Sequence, residues 1–178
     1  MRQIVPCDPN WPIVFKKVKE YILNFLPDLS IEHIGSTAVP GLSSKHMIDL
    51  LIIASNQDLQ VVKKSLIDLG FHERDIWVDT DEKPYVGGSL IYDSRVYDIN
   101  VHICRNGSQT HVQTLMFREA LLAEKKLRHK YERLKHEAIE NAGTDPKAYN
   151  DYKSSFILEV IESQNKANSA DAKSRAAD

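Results

Sequence analysis

Ile31 to Ile53 reads IEHIGSTAVPGLSSKHMIDLLII, and the order of residue types along it decides how the rest of the chain is read. Ile31 to Ile34 is a short run with an isoleucine at each end, read as a strand. Gly35-Ser36-Thr37 is a small-residue turn, followed by Val39-Pro40-Gly41 and then by an apolar run, Met47 to Ala54, that is broken only at Asp49. A carboxylate inside such a run is costly to bury unless it is paired or binds something. Asp49 is therefore the first residue to explain. In the turn, Gly35 allows backbone angles closed to other residues and lets a ligand come close to the main chain. The hydroxyls of Ser36 and Thr37 can hold a phosphate or cap a helical turn. A strand, a Gly-Ser turn and then a strand carrying an acid can bring a phosphate cradle and a metal-binding carboxylate to one edge of a sheet.

This stretch resembles a segment of the GrpB-like family, whose members carry close relatives of EHIGSTAVPGL and MIDLL and are assigned to the nucleotidyltransferase superfamily fold. The resemblance implies that the Gly-Ser turn holds a triphosphate and that acids on neighbouring strands hold a divalent metal. It extends from Val5 to Ile161 and is diffuse outside the Gly-Ser segment. Phe117-Arg118-Glu119 stands where the family has Phe-Arg-Asp. Tyr149, Lys153 and Phe156-Ile157 match the family's closing Tyr-x3-Lys-x2-Phe-Ile, which places Lys153 among the supporting residues.

The bulk properties narrow the field. A chain of 178 residues suits one domain with a full core. With 23 Lys and Arg against 25 Asp and Glu, the net charge of -2 creates no field that would draw the protein to nucleic acid or an anionic membrane. Cys7 and Cys104 make no disulfide framework, and thiols in a reducing cytosol are the simpler reading. The opening MRQIVPCDPNW has no apolar core of a signal peptide, and no run approaches the ~20 apolar residues that span a bilayer. The expectation is a soluble protein of the cytoplasm.

Taken in order, Asp8-Pro9-Asn10-Trp11-Pro12 reads as the start of a helix, with Asp8 or Asn10 as cap. Trp11, Phe15, Val18, Ile22, Phe25 and Leu26 recur at helical spacing until Pro27 stops them, with Trp11 as a packing anchor. Asn56-Gln57-Asp58 caps a second helix, Leu59 to Leu69, which Gly70 ends. A polar, irregular stretch runs to Glu82, and Lys83 to Tyr92 reads as a bent strand or loop leading through an Asp93-Ser94 turn into Arg95 to Ile103. Helices follow over Thr110 to Glu124, Lys125 to Asn141 and Ala148 to Ser163. The tail from Gln164, rich in Ala, Ser, Asn and charge, has little to bury and is expected to be disordered. The domain is thus placed at residues 1–163 and the tail at 164–178.

In RVYDINVHI, Tyr97, Ile99, Val101 and Ile103 point one way, and Asp98, Asn100 and His102 the other. The apolar set must face the core. The polar set is ordinary surface if its face is open, and a ligand constellation if it lines a cleft beside Asp49, since Asn and His can bond a phosphate, a base or a metal. The family carries a His-hydrophobic-His pattern here, and this sequence has Asn100-Val101-His102, with one imidazole replaced by an amide.

Nucleotidyl transfer needs a triphosphate cradle and one or two Mg²⁺ ions, bound through oxygens in octahedral geometry. Gly35, Ser36 and Thr37 offer the cradle, Lys45 or Arg95 the phosphate-holding charge, and Asp49 the catalytic carboxylate. In the superfamily the acids usually stand as Asp-x-Asp/Glu with a third on a later strand, whereas here the second position is Leu51. Asp98 is the candidate for the later acid, with Asp49 and His102 as a reduced site. A site containing His suits Mn²⁺ or Zn²⁺ better than Mg²⁺. The expectation is an α/β (α+β) fold: a mixed, mostly antiparallel sheet with packed helices, a nucleotidyltransferase-like core and a helical C-terminal half. The expected function is Mg²⁺- or Mn²⁺-dependent transfer of a nucleotidyl group to an unidentified acceptor. Its rivals are a catalytically degenerate protein that binds a nucleotide or another phosphorylated small molecule, and an interaction partner with a vestigial cleft.

Overall fold

The computed structural model describes residues 4–74, 80–143 and 145–175. Residues 75–79, within the expected polar stretch, and 144 and 176–178, within the expected turn and tail, lie outside the described residues. The chain divides into two compact units, Gln3–Thr114 and Leu115–Asp178, where the sequence reading has a single domain over 1–163.

In the first unit the helix α1 (Trp11–Phe25) starts at Asn10 with Pro12 in its first turn. Its cap differs from the usual device: the Asp8 carboxylate accepts the Asn10 N–H at 2.8 Å. Trp11, Val14, Val18 and Ile22 form its buried stripe, and each such side chain taken from water contributes roughly 1.5–3 kcal/mol. Four strands follow: β1 (Ser30–Ile34), β2 (Met47–Ala54), β3 (Tyr85–Tyr92) and β4 (Arg95–Arg105). Between β2 and β3 lies the helix α2 (Leu59–Asp68), whose Asp58 side chain accepts from Gln60 and Val61 N–H groups as the sequence predicts. The sheet runs β1-β2-β4-β3. Its outer pairings, β1 with β2 and β3 with β4, are antiparallel, and β2 with β4 is parallel. This is the mixed, mostly antiparallel sheet expected from the sequence.

One face of the sheet carries Ile48, Leu50, Ile52, Tyr97, Ile99, Val101 and Ile103 into a single core with the stripes of α1 and α2. The alternation of β4 is thus oriented as read. Asp93 and Ser94 both have positive φ, 48° and 60°, the two-residue turn whose twist matches the flanking strands of a hairpin. Before β3, His72 and Gly87 exchange both of their backbone hydrogen bonds, at 2.8 and 2.7 Å.

In the second unit the end of α3 (Gln109–Ala123) is followed by α4 (Lys125–Ala142) and α5 (Pro146–Arg175). Tyr131 stacks on Phe156 with ring centroids 5.8 Å apart, and Phe117 meets Tyr131 edge-on at 5.2 Å. Lys135 is 1% exposed; burial pulls its pKa down, and Glu132, 2.9 Å away, opposes that. α5 continues through the residues read as a disordered tail, as far as Arg175. Helical hydrogen bonding is local and needs no core where Ala, Lys and Gln supply favourable propensity, and Ser169 reaches back to the Asn165 carbonyl at 2.8 Å. Low hydrophobicity there excludes packing rather than helix. No helix among the described residues is long and apolar enough to cross a membrane.

Candidate functional site

Residues paired across neighbouring strands share a face of the sheet. On the face opposite the core of the first unit, Ile34, Asp49, Asn100 and Gly87 form one row, and Glu32, Leu51, His102 and Tyr85 form the next. Met47, Asp98 and Ser89 form the row on the other side. The polar face of β4 therefore adjoins Asp49, and Asp98, Asn100 and His102 lie on the same face of the sheet as the acid.

The side chains make a connected network. Asn100, 2% exposed, donates from its amide to Asp49 Oδ1 at 2.8 Å and accepts from the Tyr85 hydroxyl. His102 Nε2 lies 3.9 Å from the same Asp49 oxygen, and the His102 ring sits 5.1 Å from that of Tyr85. An amide buried this deeply must have its donors and acceptor met, and the Tyr85 hydroxyl, the Asp49 carboxylate and the Met47 thioether do so. Asp49 and His102 remain reachable, their side chains 24% and 35% exposed. Tyr85 was not among the sequence candidates, and only strand register puts it beside His102.

Gly35 is held against this acid. Its φ of 70° and ψ of -168° lie in a region that is essentially glycine-only, and a Cβ there would stand 2.4 Å from Asp49 Oδ2. The turn backbone and the carboxylate thus meet, as the spacing of the segment suggested. Ser36 to Ala38 form a single 3₁₀ turn in which Ser36 is half-buried. Thr37 is 4% exposed, and its hydroxyl lies 2.9 Å from His33 Nε2, so its side chain is committed inward rather than offered to a ligand. His33 in turn stacks on Phe15 at 4.4 Å, a structural role.

Lys45 is half-buried in the loop that leads into β2. Arg95 belongs elsewhere. It has the core-side parity of β4 and precedes the stretch paired with β2, and its Nη1 lies 3.5 Å from Asp8 Oδ2. Asp8 also accepts from the Tyr97 hydroxyl at 2.9 Å, and His46 stacks on Tyr97 at 4.7 Å. Arg95 is thus part of an Asp8 cluster that ties the N-terminal segment to the loop before β2, and the expectation that it holds phosphate beside Asp49 is corrected. Lys153 stands on α5 in the other unit, its Nζ 4.1 Å from the centroid of Tyr149. Cys7 is exposed and Cys104 buried, both free thiols; burial pushes the Cys104 thiol up and Ser108 partly offsets it.

The donor set can be tested against a divalent ion. Leu51, at the usual second acid, is fully buried, and no group of three or more His, Cys, Asp or Glu side chains among the described residues is arranged to hold a metal. One oxygen of Asp49 is already engaged by Asn100, and the other faces Gly35. Mg²⁺ is commonly held by one or two carboxylates completed by a substrate's phosphate oxygens. The site lacks the acids for an ion pair, and a single ion there would depend on oxygens supplied by a bound phosphate.

Residues 2–163 match the family described as GrpB protein. A UPF0157 protein of Halalkalibacterium halodurans is 30% identical over 161 residues, covering 89% of this chain and 80% of that protein. The crystal structure of the conserved protein GrpB from Enterococcus faecalis superimposes with a TM-score of 0.75 at 22% identity, over 93% of this chain and 99% of that one. Cid1, in a crystal structure that describes its RNA terminal uridylyl transferase activity, superimposes with a TM-score of 0.52 at 15% identity, over 77% of this chain and 41% of that one. The fold is nucleotidyltransferase-like, and the chain belongs to the GrpB family.

Proposed function

We propose that this protein binds a nucleotide or another phosphorylated small molecule on the sheet face that carries Asp49. The single observation that carries the reading is the approach of the Gly35 backbone to the Asp49 carboxylate, which supports a phosphate-binding turn and a charged, oriented side chain at one edge of the sheet. Ser36 within that turn and Lys45 in the loop before β2 are the candidate polar partners of the phosphate, and Asn100 holds the carboxylate in place. Burial of Leu51 and the single engaged carboxylate favour binding without turnover.

Transfer of a nucleotidyl group is the second reading, favoured by Asp49 itself and by the likeness of the fold to that of an RNA terminal uridylyl transferase. It would take one Mg²⁺ or Mn²⁺ at Asp49, with Asp98 and His102 nearby, and the ion would neutralise charge on the phosphates. Thermal unfolding with ATP, GTP, CTP and UTP, each with and without Mg²⁺ or Mn²⁺, tests both readings. A ligand that binds only the folded state raises the midpoint in proportion to its excess over Kd. A saturable rise with a nucleotide and no release of pyrophosphate is the expected result. Pyrophosphate released with metal by the wild type and not by Asp49→Asn would establish transfer instead, and no rise with any nucleotide would refute the proposal.

A further inference from the structure

The two adjacent glycines of β3, Gly87 and Gly88, face opposite sides of the sheet, and each is occupied by a side chain from the short segment that pairs with the β3 edge. A Cβ at Gly88 would meet the Phe71 ring at 2.9 Å on the core face. A Cβ at Gly87 would meet Arg74 Nε at 1.9 Å and its Cζ at 2.8 Å. Because Gly87 shares a row with Asn100 and Asp49, the Arg74 guanidinium lies directly on the sheet face that carries the site. Neighbouring strands lie about 4.8 Å apart, so it stands roughly two strand spacings from Asp49, with Asn100 between them.

Its hydrogen bonds are incomplete there. Nη2 donates to the Gly88 carbonyl at 3.3 Å, while Nη1 is buried and has no partner among the described residues. A guanidinium N–H taken from water without an acceptor is costly, and the acceptors that suit the planar fork are the paired oxygens of an oxyanion. Edge latching through Gly88 alone would use one nitrogen and would leave this cost unrelieved.

We infer that Arg74 is the anion-holding side chain of this face, contacting a phosphate of the bound molecule through Nη1. This rests on the phospho-ligand reading above and deepens it. Sequence inspection pointed to Lys45 and Arg95, and Arg95 is spent on Asp8. Arg74 is brought to the site by the pairing of His72 with Gly87 and admitted by the missing side chain at Gly87.

Isothermal titration with tripolyphosphate and with ATP, each with and without Mg²⁺, tests the inference on the wild type, Arg74→Gln and Arg74→Lys. The expected result is a tenfold or greater loss of affinity in Arg74→Gln and a smaller loss in Arg74→Lys, which keeps charge but not the fork. The wild type binding either probe while both Arg74 variants bind it within twofold as well would overturn the role of Arg74 and leave the phospho-ligand reading standing. Failure of the wild type to bind either probe, with or without Mg²⁺, would overturn both. Arg74→Lys keeps the charged stem over Gly87, so the inference is decided even where Arg74→Gln does not fold.

Discussion

Gly35→Ala tests the join between the turn and the acid on which the site is built. The backbone at φ 70° and ψ -168° costs a side-chain-bearing residue about 1–3 kcal/mol. The new Cβ would stand 2.4 Å from Asp49 Oδ2 and 3.1 Å from its Cβ and Cγ. Turning Asp49 aside costs about 0.5–1.5 kcal/mol for an off-rotamer side chain, and it strains the bond from Asn100. A loss of about 3 kcal/mol in all lowers the melting temperature by about 6–12 °C in a protein of this size. Gly41→Ala is the control: its φ is 83°, but no atom lies within 4 Å of the added Cβ, so it carries backbone strain alone, about 1–2 kcal/mol. Denaturant unfolding of both variants, and of Gly35→Ala combined with Asp49→Ala, separates strain from collision. The double variant is expected to be less destabilised than the sum of its parts by about 1 kcal/mol, a coupling typical of residues in contact. Equal costs for Gly35→Ala and Gly41→Ala, together with additivity in the double variant, would refute the claim that the turn rests against Asp49.

Asn100→Ala removes the bonds of the buried amide to the Tyr85 hydroxyl and to Asp49 Oδ1, and it is expected to destabilise by about 1–3 kcal/mol in urea unfolding; Tyr85→Phe keeps the bond between Asn100 and Asp49 and should cost less. A neutral Asn100→Ala would mean that the network is not formed. Burial raises the Asp8 carboxyl, but the Asn10 N–H, the Tyr97 hydroxyl and the Arg95 and His46 charges outweigh it and hold its pKa below the ordinary value. Since the folded pKa lies below the unfolded value near ~3.9, this stabilisation is complete above that value and is lost as the pH falls through the folded pKa. Urea midpoints measured downward from about pH 5 should therefore fall less steeply for Asp8→Asn than for the wild type; parallel curves would contradict the pairing.

The periodicities were legible because they report local geometry. The buried stripe from Trp11 to Ile22, the Asp58 cap and the turn at Asp93-Ser94 each depend on residues a few positions apart. Asp49 was legible as the one charge in an apolar strand, and Gly35 as the residue that makes the turn next to it. The end of α5 was misread because low hydrophobicity argues against packing but not against a helix held by its own backbone.

The sequence by itself determined where the strands and helices up to Ser163 lie, that Asp98, Asn100 and His102 share one face of β4, and that Leu51 stands where the superfamily usually has an acid. Only the tertiary structure decided which charged groups meet. Strand register, set by pairings between residues dozens of positions apart, put Asn100 against Asp49 and Tyr85 beside His102. It left Arg95 with Asp8, on the other face. Arg74 reaches the site because a backbone pairing at the sheet edge and the absent side chain of Gly87 open a place for it, and no local pattern records either condition.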